Sequence, residues 1–341
     1  MDKKKDYLSD KQSIDKDVFS QRTELSGTKV NVTTLKIREQ KTHDLQSKYD
    51  IAKYDLTKGY VFPSDMMKRI PRDTPEYVES GERYVERMMR ALYFFKQCAL
   101  VGPSGTGKTH ISYLVAELAG LPMWEINCGL QTSVYDLFGR YIGLGKENWI
   151  DGQIVSWCRY GGILYLDEAN MMRQDVATLL NPVLDTRGHL VLNEKDNEMI
   201  ERHPMAYMMA SMNPFSSEFA GTKPLNAAFR RRMTVWINFD YLSVGERISS
   251  RETELVEKKG FVDKKTAENI VKVGAELRRQ YQAGDLPYGP SIGDLVNWAK
   301  LSSDGQNPQT TAEETIIAMT SDNDEVQEEV RVIIRNVFSG F

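Results

Sequence analysis

Gly102-Pro103-Ser104-Gly105-Thr106-Gly107-Lys108-Thr109 follows the apolar run Cys98-Ala99-Leu100-Val101 and precedes a helical pattern from His110 to Leu118. A strand, a glycine-rich loop and a helix in that order predict a phosphate-binding loop at the edge of a parallel α/β sheet. Gly102, Gly105 and Gly107 let the backbone curl so that its N–H groups face phosphate oxygens. Lys108 brings a cation to the β- and γ-phosphates, and the Thr109 hydroxyl ligates Mg²⁺. The positive end of the following helix adds to the anion site. The expected nucleotide cradle therefore runs from Gly102 through Pro103, Ser104, Thr106 and Lys108 to His110. A plain glycine-rich turn is the alternative, and the flanking strand and helix argue against it.

The chain has 341 residues, enough for roughly two domains with their own cores. Its composition, 41% hydrophobic and 27% charged, is that of a soluble globular protein. No apolar stretch approaches the ~20 residues that cross a bilayer, and Met1-Asp2-Lys3-Lys4-Lys5-Asp6 lacks the apolar core of a signal peptide. Cys98, Cys128 and Cys158 are odd in number and widely spaced. They give neither a disulfide framework nor a zinc ligand set, which points to the cytoplasm. A net charge of −4 argues against a dedicated nucleic-acid binder.

Residues 1–60 are polar and read as an extension, partly disordered or docked on a neighbour. A helix is expected over Glu76 to Phe95, carrying the stripe Val78, Tyr84, Met88, Leu92 and Phe95. Strands are expected at Met123–Ile126, Ile163–Leu166, Ala206–Ser211 and Val235–Phe239, interleaved with helices, so residues 61–241 read as the α/β nucleotide-binding domain. After Leu242 the apolar positions keep helical spacing without strands, which makes 242–341 an all-helical domain.

Asp167-Glu168 close the apolar run Ile163–Leu166. An acid at the carboxyl end of a buried strand suits Mg²⁺, and Glu168 beside it suits activation of the attacking water. Asn213, ending the next strand, can bridge that water and the γ-phosphate. Arg230-Arg231-Arg232 lie just before the last strand, where an arginine can reach a neighbouring subunit's γ-phosphate. Their plainer readings are a surface acidic pair, an Asn-Pro turn and a solvated basic face.

The succession of these motifs resembles the AAA+ ATPases, and within them the MoxR-like branch that includes CbbQ, NorQ, GvpN and the dynein and midasin modules. The resemblance rests on Asp136-Leu137-Phe138-Gly139, Asp151-Gly152-Gln153-Ile154, Gly161-Gly162-Ile163-Leu164-Tyr165-Leu166-Asp167-Glu168-Ala169-Asn170, and Met212-Asn213-Pro214 through Arg232. It implies a P-loop sheet with a helical lid, assembled as a ring, usually of six subunits, with ATP and Mg²⁺ between neighbours. It also implies sensor 1 at Asn213, an arginine finger at Arg232 or Arg230, and a separate protein client, with a von Willebrand A-domain protein as one type of partner. Two departures stand out. Met233 replaces the family's phenylalanine, and Gly293 stands where the lid's sensor 2 arginine belongs, so that either Arg278 or Arg279 takes over or nucleotide-dependent lid closure is weaker. Glycines and aromatics in Arg140–Ile150 suggest an axial hairpin that grips the client through Tyr141, Lys146 and Trp149. The rival functions are a nucleic-acid-processing subunit of McrB type and a nucleotide-gated scaffold.

Overall fold

Runs that are apolar at every position have no face to offer water, so they persist as strands covered on both sides. The computed structural model describes residues 44–75, 77–129, 132–143, 148–213 and 225–339. Its strands are β1 (Gln97–Val101), β2 (Met123–Asn127), β3 (Gly139–Tyr141), β4 (Trp149–Asp151), β5 (Gly162–Asp167), β6 (His189–Leu192), β7 (Glu198–Glu201), β8 (Ala206–Met212) and β9 (Trp236–Asn238). Five of them form one parallel sheet in the order β2-β5-β8-β1-β9. The other four make two antiparallel hairpins, β3–β4 and β6–β7. The carboxyl ends of β1, β5 and β8 therefore lie side by side, where ligands bind in open α/β sheets.

Alternation along β5 divides the interior in two. Ile163 and Tyr165 face a core shared with Met88 and Leu92 of the helix Tyr84–Phe95 and with Ile111 and Leu114 of the helix Lys108–Ala119. Leu164 and Leu166 face the opposite core with Trp157, Leu180 and Phe229. Met233 is buried there too, so it keeps the packing role of the expected phenylalanine. The described part of the N-terminal stretch joins the first core through Tyr49, Ile51, Leu56 and Phe62. Residues 1–43 lie outside the described residues.

The helix expected from Glu76 begins at Tyr84 instead. Gly81 takes a positive φ of 102°, and the Glu79 carboxylate accepts from the Tyr84 and Val85 N–H groups at 3.0 and 3.1 Å, capping the helix there. Tyr77 and Val78 are thereby freed from the helix and run across the mouth of the site. Beyond Leu242 the chain is helical, with its own core around Ile270, Leu277, Trp298, Ile316 and Ile334.

Candidate functional site

The loop after β1 and the ends of β5 and β8 surround a cavity of about 600 Å³, closed from above by the helical region. Of the expected cradle, Ser104 through His110 line it. Gly102 and Pro103 stand behind, their carbonyls accepting from Lys108 Nζ at 2.7 Å each. The loop's glycines divide their work. Gly105 curls the chain at φ +76°, and a Cβ there would sit 2.6 Å from Ser291 Cβ. Gly102 provides clearance instead, since a Cβ would collide with the Phe239 carbonyl at the end of β9.

Lys108 is 8% exposed, and burial lowers its pKa to about 8 against the opposing pull of Asp167 and Glu168. Its third contact is Asn213 Oδ1 at 3.3 Å. A buried ammonium held by neutral oxygens, at a helix N-terminus and beside open space, suits a polyanion. Across the cavity, Thr109 Oγ1 lies 3.4 Å from Asp167 Oδ2. These hard oxygen donors fit Mg²⁺, which is usually held by one or two carboxylates together with substrate phosphates. Among the described residues no cluster of three or more acidic, histidine or cysteine side chains forms a metal cage, so such a cation would depend on phosphate oxygens.

Glu168 lines the cavity exposed, with φ +52°, a conformation that non-glycine residues adopt rarely and that concentrates at functional sites. Its N–H donates to Asp167 Oδ1 at 3.2 Å, which fixes the turn after β5. His110 lines the cavity and is tied outward through Nε2 to the Pro75 carbonyl at 2.8 Å.

The arginines stand elsewhere. Asn226 caps the short helix Ala227–Arg232. Arg232 is engaged by its own chain, donating to the Asn181 carbonyl at 3.1 Å and the Ala228 carbonyl at 2.8 Å and pairing with Asp185 at 3.3 Å. Arg230 is exposed, its guanidinium 4.9 Å from the Trp236 ring centre. Among the described residues no arginine lines the cavity. Arg278, fully buried, bonds the Pro290 and Ser243 carbonyls and Glu252, while Arg279 pairs with Glu276. Neither arginine lines the cavity. Gly293 lines the wall, and the cation that the helical region presents is Lys259.

Sequence alone also does not mark Tyr77, Val78, Tyr241, Leu255 and Asn297, which are among the residues that line the rest of the cavity. They come from segments far apart in sequence, and no local pattern marks them. In the β3–β4 hairpin, Trp149 packs on its own domain, its Nε1 donating to Asp151 at 2.8 Å. Tyr141, Ile142 and Ile150 are exposed, and Lys146 lies outside the described residues.

Comparisons with known proteins match this geometry. Residues 97–233 fit the family model for the AAA domain of the dynein-related subfamily, and residues 252–337 fit the CbbQ/NirQ/NorQ C-terminal model. The chain is 31% identical to Protein NorQ of Paracoccus denitrificans over 78% of its own length and 95% of that protein. It is 30% identical to Protein CbbQ of Hydrogenophilus thermoluteolus over 79% and 97%, and 30% identical to the denitrification regulatory protein NirQ of Pseudomonas aeruginosa over 74% and 94%. In fold it is similar to NtrX from Brucella abortus in complex with ADP, with a TM-score of 0.52 and 16% identity over 81% of this chain and 67% of that one.

Proposed function

The chain belongs to the CbbQ/NirQ/NorQ family of MoxR-like AAA+ ATPases, and on that premise we propose that it works as a ring, usually of six subunits, whose Mg²⁺-dependent ATP hydrolysis remodels or activates a separate protein. The observation that carries the ring is that, among the described residues, no arginine lines the cavity. The cavity offers Lys108 and Lys259 as cations, while Arg230 stands exposed on a helix outside it. Phosphoryl transfer gains most of its rate from charge placed on the γ-phosphate, so a neighbouring subunit supplies that charge here. Residues 61–241 form the nucleotide-binding domain in this reading, 242–341 the lid, and 1–60 an extension.

Within one subunit the roles follow from position. The loop N–H groups and Lys108 hold the phosphates. Thr109 and Asp167 hold Mg²⁺, which when bound neutralises charge on the β- and γ-phosphates. The Glu168 carboxylate accepts a proton from the attacking water, and Asn213, already within reach of Lys108, reports the γ-phosphate to the end of β8. Rigid-body shifts between sheet and helical region carry hydrolysis outward. The client is a separate protein, a von Willebrand A-domain protein being one candidate, and the work is done in the cytoplasm. That one relative is called a denitrification regulatory protein supports activation of another enzyme.

The test is a dilution series. Specific ATPase activity is expected to fall as subunits separate, and activity that stays flat down to the monomer overturns the ring. The β3–β4 hairpin is proposed to meet the client through Ile142, Ile150 and Tyr141, which are 52%, 54% and 36% exposed. A photocrosslinker at position 142 is expected to capture an added A-domain partner or its enzyme. Contacts confined to the crosslinker's own domain would remove that role.

A further inference from the structure

Tyr165 interrupts the aliphatic run Ile163, Leu164 and Leu166 of β5. Its ring is fully buried in the core, yet its hydroxyl reaches the site, because Tyr165 and Asp167 are two apart on β5 and share a face. Tyr165 Oη lies 3.0 Å from Thr109 Oγ1 and 3.2 Å from Asp167 Oδ1. Ser211 Oγ, from the neighbouring β8, also donates to Asp167 Oδ1, and so does the Glu168 N–H.

The protons can be counted. In the structure the phenol donates to Thr109 Oγ1 at 3.0 Å, and Thr109 donates to Asp167 Oδ2 at 3.4 Å. Asp167 Oδ1, 3.2 Å from Tyr165 Oη, is a second seat for the single phenol proton. A cation drawn to Thr109 Oγ1 and Asp167 Oδ2 would displace the long Thr109 bond and reverse the order, Thr109 donating to Tyr165 and Tyr165 to Asp167 Oδ1. The reversed chain would saturate one carboxylate oxygen and leave Asp167 Oδ2 and a lone pair of Thr109 Oγ1 for the cation.

We propose that Tyr165 is a positioning residue for the metal. Its hydroxyl takes up the Thr109 proton and pins the Asp167 carboxylate, so that one oxygen of each is presented to Mg²⁺. The inference rests on the reading of Thr109 and Asp167 as the metal-holding pair. Partners of this kind, which orient metal ligands, typically cost 10–100-fold in metal affinity when removed. Tyr165→Phe keeps the ring and deletes the oxygen.

The measurement is binding of a fluorescent ADP analogue, titrated with MgCl₂ and repeated in EDTA. Tyr165→Phe is expected to raise the Mg²⁺ midpoint by about tenfold or more, with nucleotide affinity in EDTA unchanged. A merely structural loss would weaken both together. A midpoint at the parental value, or an equal loss in EDTA, overturns the proposal. Asp167→Asn runs alongside. If it shifts the midpoint and Tyr165→Phe does not, the positioning role alone fails. If Asp167→Asn does not shift it either, the metal reading itself fails. Should Tyr165→Phe not fold by thermal unfolding, Ser211→Ala takes its place on the same titration. Removing that donor from Asp167 Oδ1 is expected to shift the midpoint in the same direction by a smaller factor, and no shift overturns the proposal.

Discussion

Replacing Arg230 by alanine is expected to lower ATP turnover by about 10³- to 10⁵-fold, the range an arginine supplies to phosphoryl transfer from a neighbouring chain. Nucleotide affinity of the single subunit should stay near the parental value, because Arg230 does not line its own cavity. Arg232 is the other candidate, standing where the resemblance puts the arginine before the family's phenylalanine. Three of its nitrogens, however, are committed to Asn181, Ala228 and Asp185 of its own chain. Its replacement should cost thermal stability as well as turnover, since it frees the helix Ala227–Arg232 from the helix Gln174–Leu184. Mixing settles the geometry. Arg230→Ala subunits retain a complete phosphate cradle, and Lys108→Ala subunits retain the arginine. Mixed rings should recover some activity because certain interfaces then hold both. Recovery that never exceeds the sum of the two variants alone would remove the arginine from the neighbour's site.

The second large effect is expected at Glu168. Glu168→Gln keeps the shape and loses the base, so nucleotide binding should persist while kcat falls by about 10²- to 10⁴-fold, the usual contribution of a general base. Lys108→Ala should do the reverse and abolish binding, because the buried ammonium holding the loop carbonyls is the cation offered to the phosphates. Fluorescent-nucleotide binding beside phosphate release separates the two. Parental turnover in Glu168→Gln would strip that residue of its role.

The half of the site that could be read from the chain is the half made of contiguous patterns. The loop 102–109 and the acids after β5 are local signals, since a turn, a helix start and a strand end are each encoded within a few residues. All five sheet strands fall on the expected apolar runs. The opposite wall was not legible. Leu255, Lys259 and Asn297 face the cavity only because two helices of the C-terminal helical region pack over it. The start of the helix Tyr84–Phe95 is not legible because Val78 continues the apolar stripe, while the Glu79 cap that fixes the helix start is a side-chain contact. Tyr165 was hidden differently. In an apolar run it counts as a hydrophobe, and only its spacing from Asp167 betrays a polar duty. Sequence likewise does not show that Arg278, one candidate for the lid's arginine, is held by Glu252 and two carbonyls.

One bond at the joint between sheet and helices has a mechanical meaning. The Tyr241 hydroxyl lies 2.8 Å from the Ser104 carbonyl of the loop and 3.4 Å from the Gly289 carbonyl of the helical region. Its single proton therefore has a seat on either side of the pivot. When the two bodies swing apart, the phenol keeps the Ser104 seat, and no buried donor is stranded, a loss that ordinarily costs about 1–3 kcal/mol. In the proposed swing the tyrosine would serve as a bearing, because letting go of the Gly289 carbonyl leaves its proton a partner. Nucleotide would then act on that swing as a ratchet instead of as a hammer.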